Sequence, residues 1–168
     1  QDKLPPFSMR EAKDEIAKEL GQTVEQLFSS FSEPVAAASL AQVHKAHLAD
    51  TGDADAVKVL RPGIERAFRR DIDAFYFAAR TIEFLSPSSR RLKPMDVITH
   101  FEGVVMAELD LRLESSAASE FADNTKDDVG FSVPKVRWHL SSRRVMTLDW
   151  AEGISAGDNN AIDAAGHD

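Results

Sequence analysis

A lysine stands in the middle of an apolar run, Ala56-Val57-Lys58-Val59-Leu60. Burying an ammonium is costly, so such a lysine either lies on the open face of an edge strand or is matched to an anion. About twenty residues earlier, in Pro34-Val35-Ala36-Ala37-Ala38-Ser39-Leu40-Ala41-Gln42-Val43-His44, four small residues fall where the chain turns between two strand-like segments. Small side chains let backbone N–H groups approach a phosphate closely. Alone, the same run reads as a well-packed helix or strand. The separation leaves room for one strand and one turn, which returns Lys58 beneath the small residues. A third cluster is Glu108-Leu109-Asp110-Leu111-Arg112-Leu113-Glu114. On a straight helix Asp110 and Glu114 share a face with Gly103, Ala107 and Ala117, while Glu108 points elsewhere and can pair with Arg112. In isolation this reads as a charged surface. Last, Val145-Met146-Thr147-Leu148 runs into the short polar turn Asp149-Trp150-Ala151-Glu152-Gly153, where free backbone groups can meet a nucleotide base.

The elements that must position these residues are punctuated clearly. Ser8 with Glu11 is a capping box, and Gly21 follows the apolar series Ala12, Ile16, Leu20, which predicts a helix. Thr23 with Gln26 repeats the signal and predicts a second helix through Val24, Leu27, Phe28 and Phe31. From Glu33 to Ala49 the chain is rich in Ala and Val; Thr51-Gly52-Asp53 is a turn before the lysine strand, which Arg61-Pro62-Gly63 stops. A helix is predicted from Ile64 to Leu85, ending at Ser86-Pro87, and another from Asp96 to about Phe121. Arg90, Arg91 and Lys93 between them read as a solvated loop. Val133 to Val136 and Arg144 to Leu148 read as strands joined near Ser141-Ser142, and after Gly153 a frayed end or helix stub is expected. The order gives an α+β fold: a five-stranded antiparallel sheet with inserted and flanking helices, packed against one face.

Composition narrows the classes. With 28 acidic against 20 basic residues the net charge is -8, which argues against nonspecific nucleic-acid binding. No cysteine is present, which removes disulfides and cysteine-based zinc sites and fits a reducing compartment. No apolar run approaches the roughly 20 residues that cross a bilayer. The opening Gln1-Asp2-Lys3-Leu4-Pro5-Pro6 has neither initiator Met nor signal-peptide pattern and reads as an internal start, so both ends are expected to be artificial.

In sequence the four clusters run phosphate turn, strand lysine, helix glutamate, hinge, which is the order of a protein-kinase N-lobe. The chain also resembles the UbiB family of atypical kinase-like proteins, linked to ubiquinone biosynthesis. The matching stretches are Gln1 to Phe7, Ala36 to His44, Ala56-Val57-Lys58-Val59-Leu60-Arg61-Pro62-Gly63-Ile64, Glu108 to Glu114 and Val133-Pro134-Lys135-Val136. The resemblance implies that Ala36, Ala37, Ala38 and Ser39 replace the kinase Gly-rich loop and that Lys58 binds nucleotide phosphates. It implies that Glu114 pairs with Lys58, that Glu108 and Asp110 form the family's Glu-x-Asp motif, and that Asp149, Trp150 and Ala151 are the hinge, with Leu148 as gatekeeper. Residues 1–32 are then a helical extension, 33–153 the N-lobe to the hinge, and 154–168 the start of a truncated C-lobe. Asp55 departs from the apolar residue usual before Ala-Val-Lys and is expected to make the lysine strand less regular. The family's Lys-x-Gly-Gln segment is absent, as are the His-x-Asp catalytic loop and the Asp-Phe-Gly metal motif.

The leading expectation is therefore an ATP-binding part of an atypical kinase or ATPase supporting quinone biosynthesis. Mg²⁺ ligands would lie outside this chain, and the fragment alone would be inactive. The expected location is cytoplasmic, with the full-length protein at the inner face of a membrane through segments outside this chain. An alternative is a non-catalytic module that binds a quinone-type lipid or scaffolds a biosynthetic complex. A third, an unrelated helical interaction domain, requires that no antiparallel sheet join Val35–Leu60 to Val133–Leu148.

Overall fold

A computed structural model describes residues 5–154 and 163–166. The chain opens with α1 (Met9–Leu20), capped as its sequence demands: Ser8 accepts from the Glu11 N–H, Glu11 reaches back to the Ser8 N–H, and Gly21 closes the helix at φ 73°. The second helix, α2 (Val24–Leu27), stops sooner than predicted, and the chain enters β1 (Phe28–Ala37) at Phe28 rather than at Val35. Phe28 is buried by pairing with Leu48 across the sheet, so sheet formation overrides the helical spacing of Phe28 and Phe31.

β1 pairs with β2 (Ala41–Leu48), β2 with β3 (Ala54–Leu60), and β3 with β4 (Val145–Asp149), all antiparallel. Among the described residues the sheet has four strands, not five. The expected fifth, Val133–Val136, lies along β4 but makes only a single bridge, Val136 to Leu148. The Lys135 N–H turns to the Asp149 side chain at 3.3 Å, so the ladder does not continue past this bridge. The lysine strand is regular despite Asp55: it holds register with both neighbours from Asp55 to Val59.

Helices cover both faces of the sheet rather than one. On one face α1 and α2 bury Ala12, Ile16 and Val24 against Phe28, Ala46, Leu48, Val57, Val59 and Val145. On the other, Ala41, Leu60 and Met146 meet Leu109 and Leu111, flanked by Ile64, Phe68 and Val105. Ile64 and Phe68 come from α3 (Ile64–Leu85), Val105 from α4 (Pro94–Glu108) and Leu111 from α5 (Leu111–Asn124), with Leu109 between the last two. Gly63, at φ 74°, turns the chain out of the sheet into α3. The predicted single helix from Asp96 to Phe121 is two. Leu109 and Leu111 are both fully buried in the same cluster, yet residues two apart on a straight helix face about 200° apart. A break between α4 and α5 lets both reach the core, and the Leu111 N–H is taken by the Arg143 carbonyl at 2.9 Å. The expected start of a C-lobe falls largely outside the described residues, as do Gln1 to Leu4 of the family-like opening stretch.

Candidate nucleotide site

β3 puts Lys58 opposite Val43 and Met146, on the face that α5 covers. Its Nζ reaches both carboxylate oxygens of Glu114, in the first turn of α5, at 2.7 Å each. The two side chains are 31% and 50% exposed, so the pair contributes at most about 1 kcal/mol to folding. Two side chains held in one geometry at so little gain in stability suit a site better than a scaffold.

Next to Lys58 on this face, Val43, Ala56 and Leu148 are only half-buried and form a short apolar strip toward the end of β4. Beyond it Trp150 lies on the same side, with the Lys45 ammonium 4.6 Å from its ring centre. Of the three expected hinge residues, Asp149 and Trp150 already donate their N–H groups, to the Lys135 and Ala54 carbonyls at 3.0 and 2.9 Å. The Ala151 N–H donates to no described residue. The three line a cavity of about 310 Å³ with Ser132, Val133, Pro134 and Lys135.

The small-residue run divides. Ala36 and Ala37 belong to β1, opposite Val43 and Gln42, while Ala38 and Ser39 turn the chain into β2. The Ala38 N–H closes the hairpin onto the Ala41 carbonyl at 2.8 Å, and the Ser39 and Leu40 N–H groups donate to no described residue. Such a turn has the free donors that a phosphate needs.

The break between α4 and α5 rearranges the acidic cluster. Asp110 caps α5 by accepting from the Arg112 N–H, and Arg112 grips the same carboxylate at 2.9 and 2.6 Å. Arg112 thus pairs with Asp110, not with Glu108, and that grip holds the Asp110 carboxyl below its ordinary range. Glu108 does not point away. It lines a cavity of about 360 Å³ with Asp110, Glu114, Ala107, Ala117 and Leu113, and Gly103 takes no part.

Sequence reasoning missed Arg137. Asp55 is fully buried opposite Asp149, and Arg137 lies between them, 3.4 Å from Asp55 and 2.9 Å from Asp149, with Asp53 at 3.3 Å. Asp55 Oδ2 still finds no donor, and burial, opposed by Arg137, pushes its carboxyl up. The unusual acid before Ala-Val-Lys was the available signal, but its partner stands 82 residues away in sequence. Arg137 fastens the start of β3 to the end of β4.

A four-stranded antiparallel sheet whose central lysine meets a helix glutamate beneath a hairpin turn defines a kinase-like N-lobe. The comparisons agree. The ABC1 atypical kinase-like domain matches residues 1–168, and the chain belongs to that family. It is 36% identical over 167 residues to a protein named "Probable protein kinase UbiB" from Marinobacter nauticus, covering 99% of this chain and 30% of the relative. Proteins of the same name from Aliivibrio fischeri and Pseudomonas aeruginosa are each 38% identical, over 99% and 94% of this chain. The chain thus spans about 30% of the length of the curated relatives it matches.

Proposed function

We propose that this chain is the nucleotide-binding part of an atypical kinase or ATPase that supports quinone biosynthesis. The observation that carries the reading is the Lys58–Glu114 pair on the half-open face of the sheet, with an apolar strip leading from it to the hinge. The free amides of the turn and the Lys58 ammonium suit the phosphates of ATP, and Val43, Ala56 and Leu148 suit the base, beside the Ala151 backbone. Among the described residues no group of three or more His, Cys, Asp or Glu is arranged to hold a metal ion. On this reading Mg²⁺ is ligated by residues outside the chain. Phosphoryl transfer also needs an oriented nucleophile, so the chain alone does not turn over ATP.

Calorimetric titration with ATP and Mg²⁺, on the full-length protein and on this chain, tests the reading. Full-length wild type binds ATP and Lys58→Met does not. Equal binding by the variant, or ATP hydrolysis by this chain alone, would overturn it.

A non-catalytic, lipid-binding role has one observation behind it. An apolar groove of about 370 Å³ between α3 and α4, lined by Phe75, Ala79, Leu92 and Val97 among others, suits the tail of a quinone-type lipid. ATP turnover by the full-length protein decides against a purely non-catalytic role. No helix among the described residues is long and apolar enough to cross a membrane.

A further inference from the structure

Arg61 stands directly after the lysine strand. In the structure it holds two separate parts of the chain. Its backbone N–H donates to the Leu40 carbonyl at 2.7 Å and its Nε to the Ser39 carbonyl at 3.3 Å. Its Nη2 donates to the Pro5 carbonyl at 2.9 Å, and the guanidinium lies 5.4 Å from the centre of the Phe7 ring. Its own carbonyl is fixed in turn by Arg144 Nη2 at 3.1 Å.

A peptide unit is planar and trans, so its carbonyl and the following N–H point in opposite directions. Pulling the Ser39 carbonyl onto Arg61 therefore turns the Leu40 N–H away from Arg61, and pulling the Leu40 carbonyl does the same to the Ala41 N–H. At the hairpin tip Ala38 and Ser39 are small and exposed and select no one peptide orientation, while Leu40 only anchors the end of the tip against the Ala41, Leu60 and Met146 cluster. The two bonds from Arg61 select it before any ligand arrives, which lowers the ordering cost of binding. Because Arg61 leaves the same strand that carries Lys58, turn and lysine share one frame.

The segment Pro5–Phe7 has a second attachment to the same hairpin. Gln42 in β2 accepts from the Phe7 N–H at 3.1 Å, returns a bond to the Phe7 carbonyl at 3.4 Å, and meets the buried His44 ring at 2.9 Å. His44 donates its other nitrogen to the Ser32 carbonyl of β1 at 2.8 Å. The strap thus grips the hairpin at its tip through Arg61 and along its length through Gln42.

We infer that Arg61 is a positioning residue for the phosphate-binding turn and couples that turn to the Pro5–Phe7 strap, so that nucleotide and the chain leading into Phe7 sense each other. This rests on the nucleotide reading above. The coupling is reciprocal: whatever moves the strap changes nucleotide affinity, and nucleotide tightens the strap.

The test uses the full-length protein with ATP titration and amide hydrogen exchange on wild type, Arg61→Met, Arg61→Lys and Lys58→Met. Arg61→Met weakens ATP binding about tenfold, the scale of one lost charge-assisted hydrogen bond. Arg61→Lys, which keeps the charge but not the fork, recovers part of the loss. ATP slows exchange of the Phe7 amide in wild type and not in Arg61→Met, a readout that a merely structural arginine would leave alone. If Arg61→Met unfolds, Arg61→Lys carries the same comparison. Wild-type ATP affinity and Phe7 protection in both Arg61 variants, with binding lost in Lys58→Met, overturns the coupling alone. Wild-type affinity in Lys58→Met overturns the nucleotide reading and this inference with it.

Discussion

The two faces of the sheet are built from the same strands and treated differently. On the α1 face Gln42, His44, Ala46, Asp55, Val57, Val59, Val145 and Thr147 are all buried. On the α5 face, in alternate positions of those strands, Val43, Lys45, Ala56, Lys58 and Leu148 remain half-open. The buried face also contains polar groups, but they find partners: Gln42 with His44, and one oxygen of Asp55 with Arg137. Burial holds the His44 ring below its ordinary range. The half-open face keeps Lys58 on a carboxylate that a competing anion can reach. A single strand can do both jobs because successive side chains point to opposite faces, so the strand that fills a core at Val57 and Val59 offers Lys58 to a site.

If that contrast holds, the largest loss of stability comes from the sealed side. Arg144 Nε bonds Glu15 of α1 at 2.5 Å, and their side chains are only 9% and 10% exposed. Arg144→Ala leaves that carboxylate buried without its partner and costs about 3–5 kcal/mol in urea unfolding. A loss below 1 kcal/mol would mean that α1 does not seal this face.

A smaller, pH-dependent effect comes from Asp55, at the end of the same face. Its carboxyl lies above the ordinary 3.8 because burial disfavours the charge, with Arg137 opposing. The folded state therefore holds this proton more tightly than the unfolded chain. The cost is absent below about pH 3.8 and fully present above the raised value. Asp55→Asn removes it, so the variant gains stability relative to wild type as pH rises from 3.8 toward neutrality. Thermal melts across that range check the sign.

On the α5 side the effects shrink. Asp110→Ala removes the N-cap of α5 and costs about 1 kcal/mol. Lys58→Met changes folding stability by less than about 1 kcal/mol, since its pair is open to water, while abolishing nucleotide binding. A Lys58→Met protein that unfolds as readily as Arg144→Ala would erase the distinction between the faces.

What the sequence by itself determined is the local punctuation. Ser8, Glu11 and Gly21 bound α1, and Gly63 with Ser86-Pro87 bound α3 at Ile64–Leu85, because caps and breakers act through the backbone of their nearest neighbours. The lysine strand and its place after a small-residue turn were legible for the same reason. Only the tertiary structure decided where α2 yields to β1, because Phe28 fits a helical period as well as it fits a strand until Leu48 lies opposite it. It also decided the break at Leu109-Asp110, which exists so that two leucines two positions apart can enter one core. The partners of Asp55 and Arg61 were likewise beyond reach of the sequence. Their charges could be read, but an ion pair or a charge-assisted hydrogen bond depends on distance in space, and Arg137 and Pro5 come within reach only when the sheet has formed.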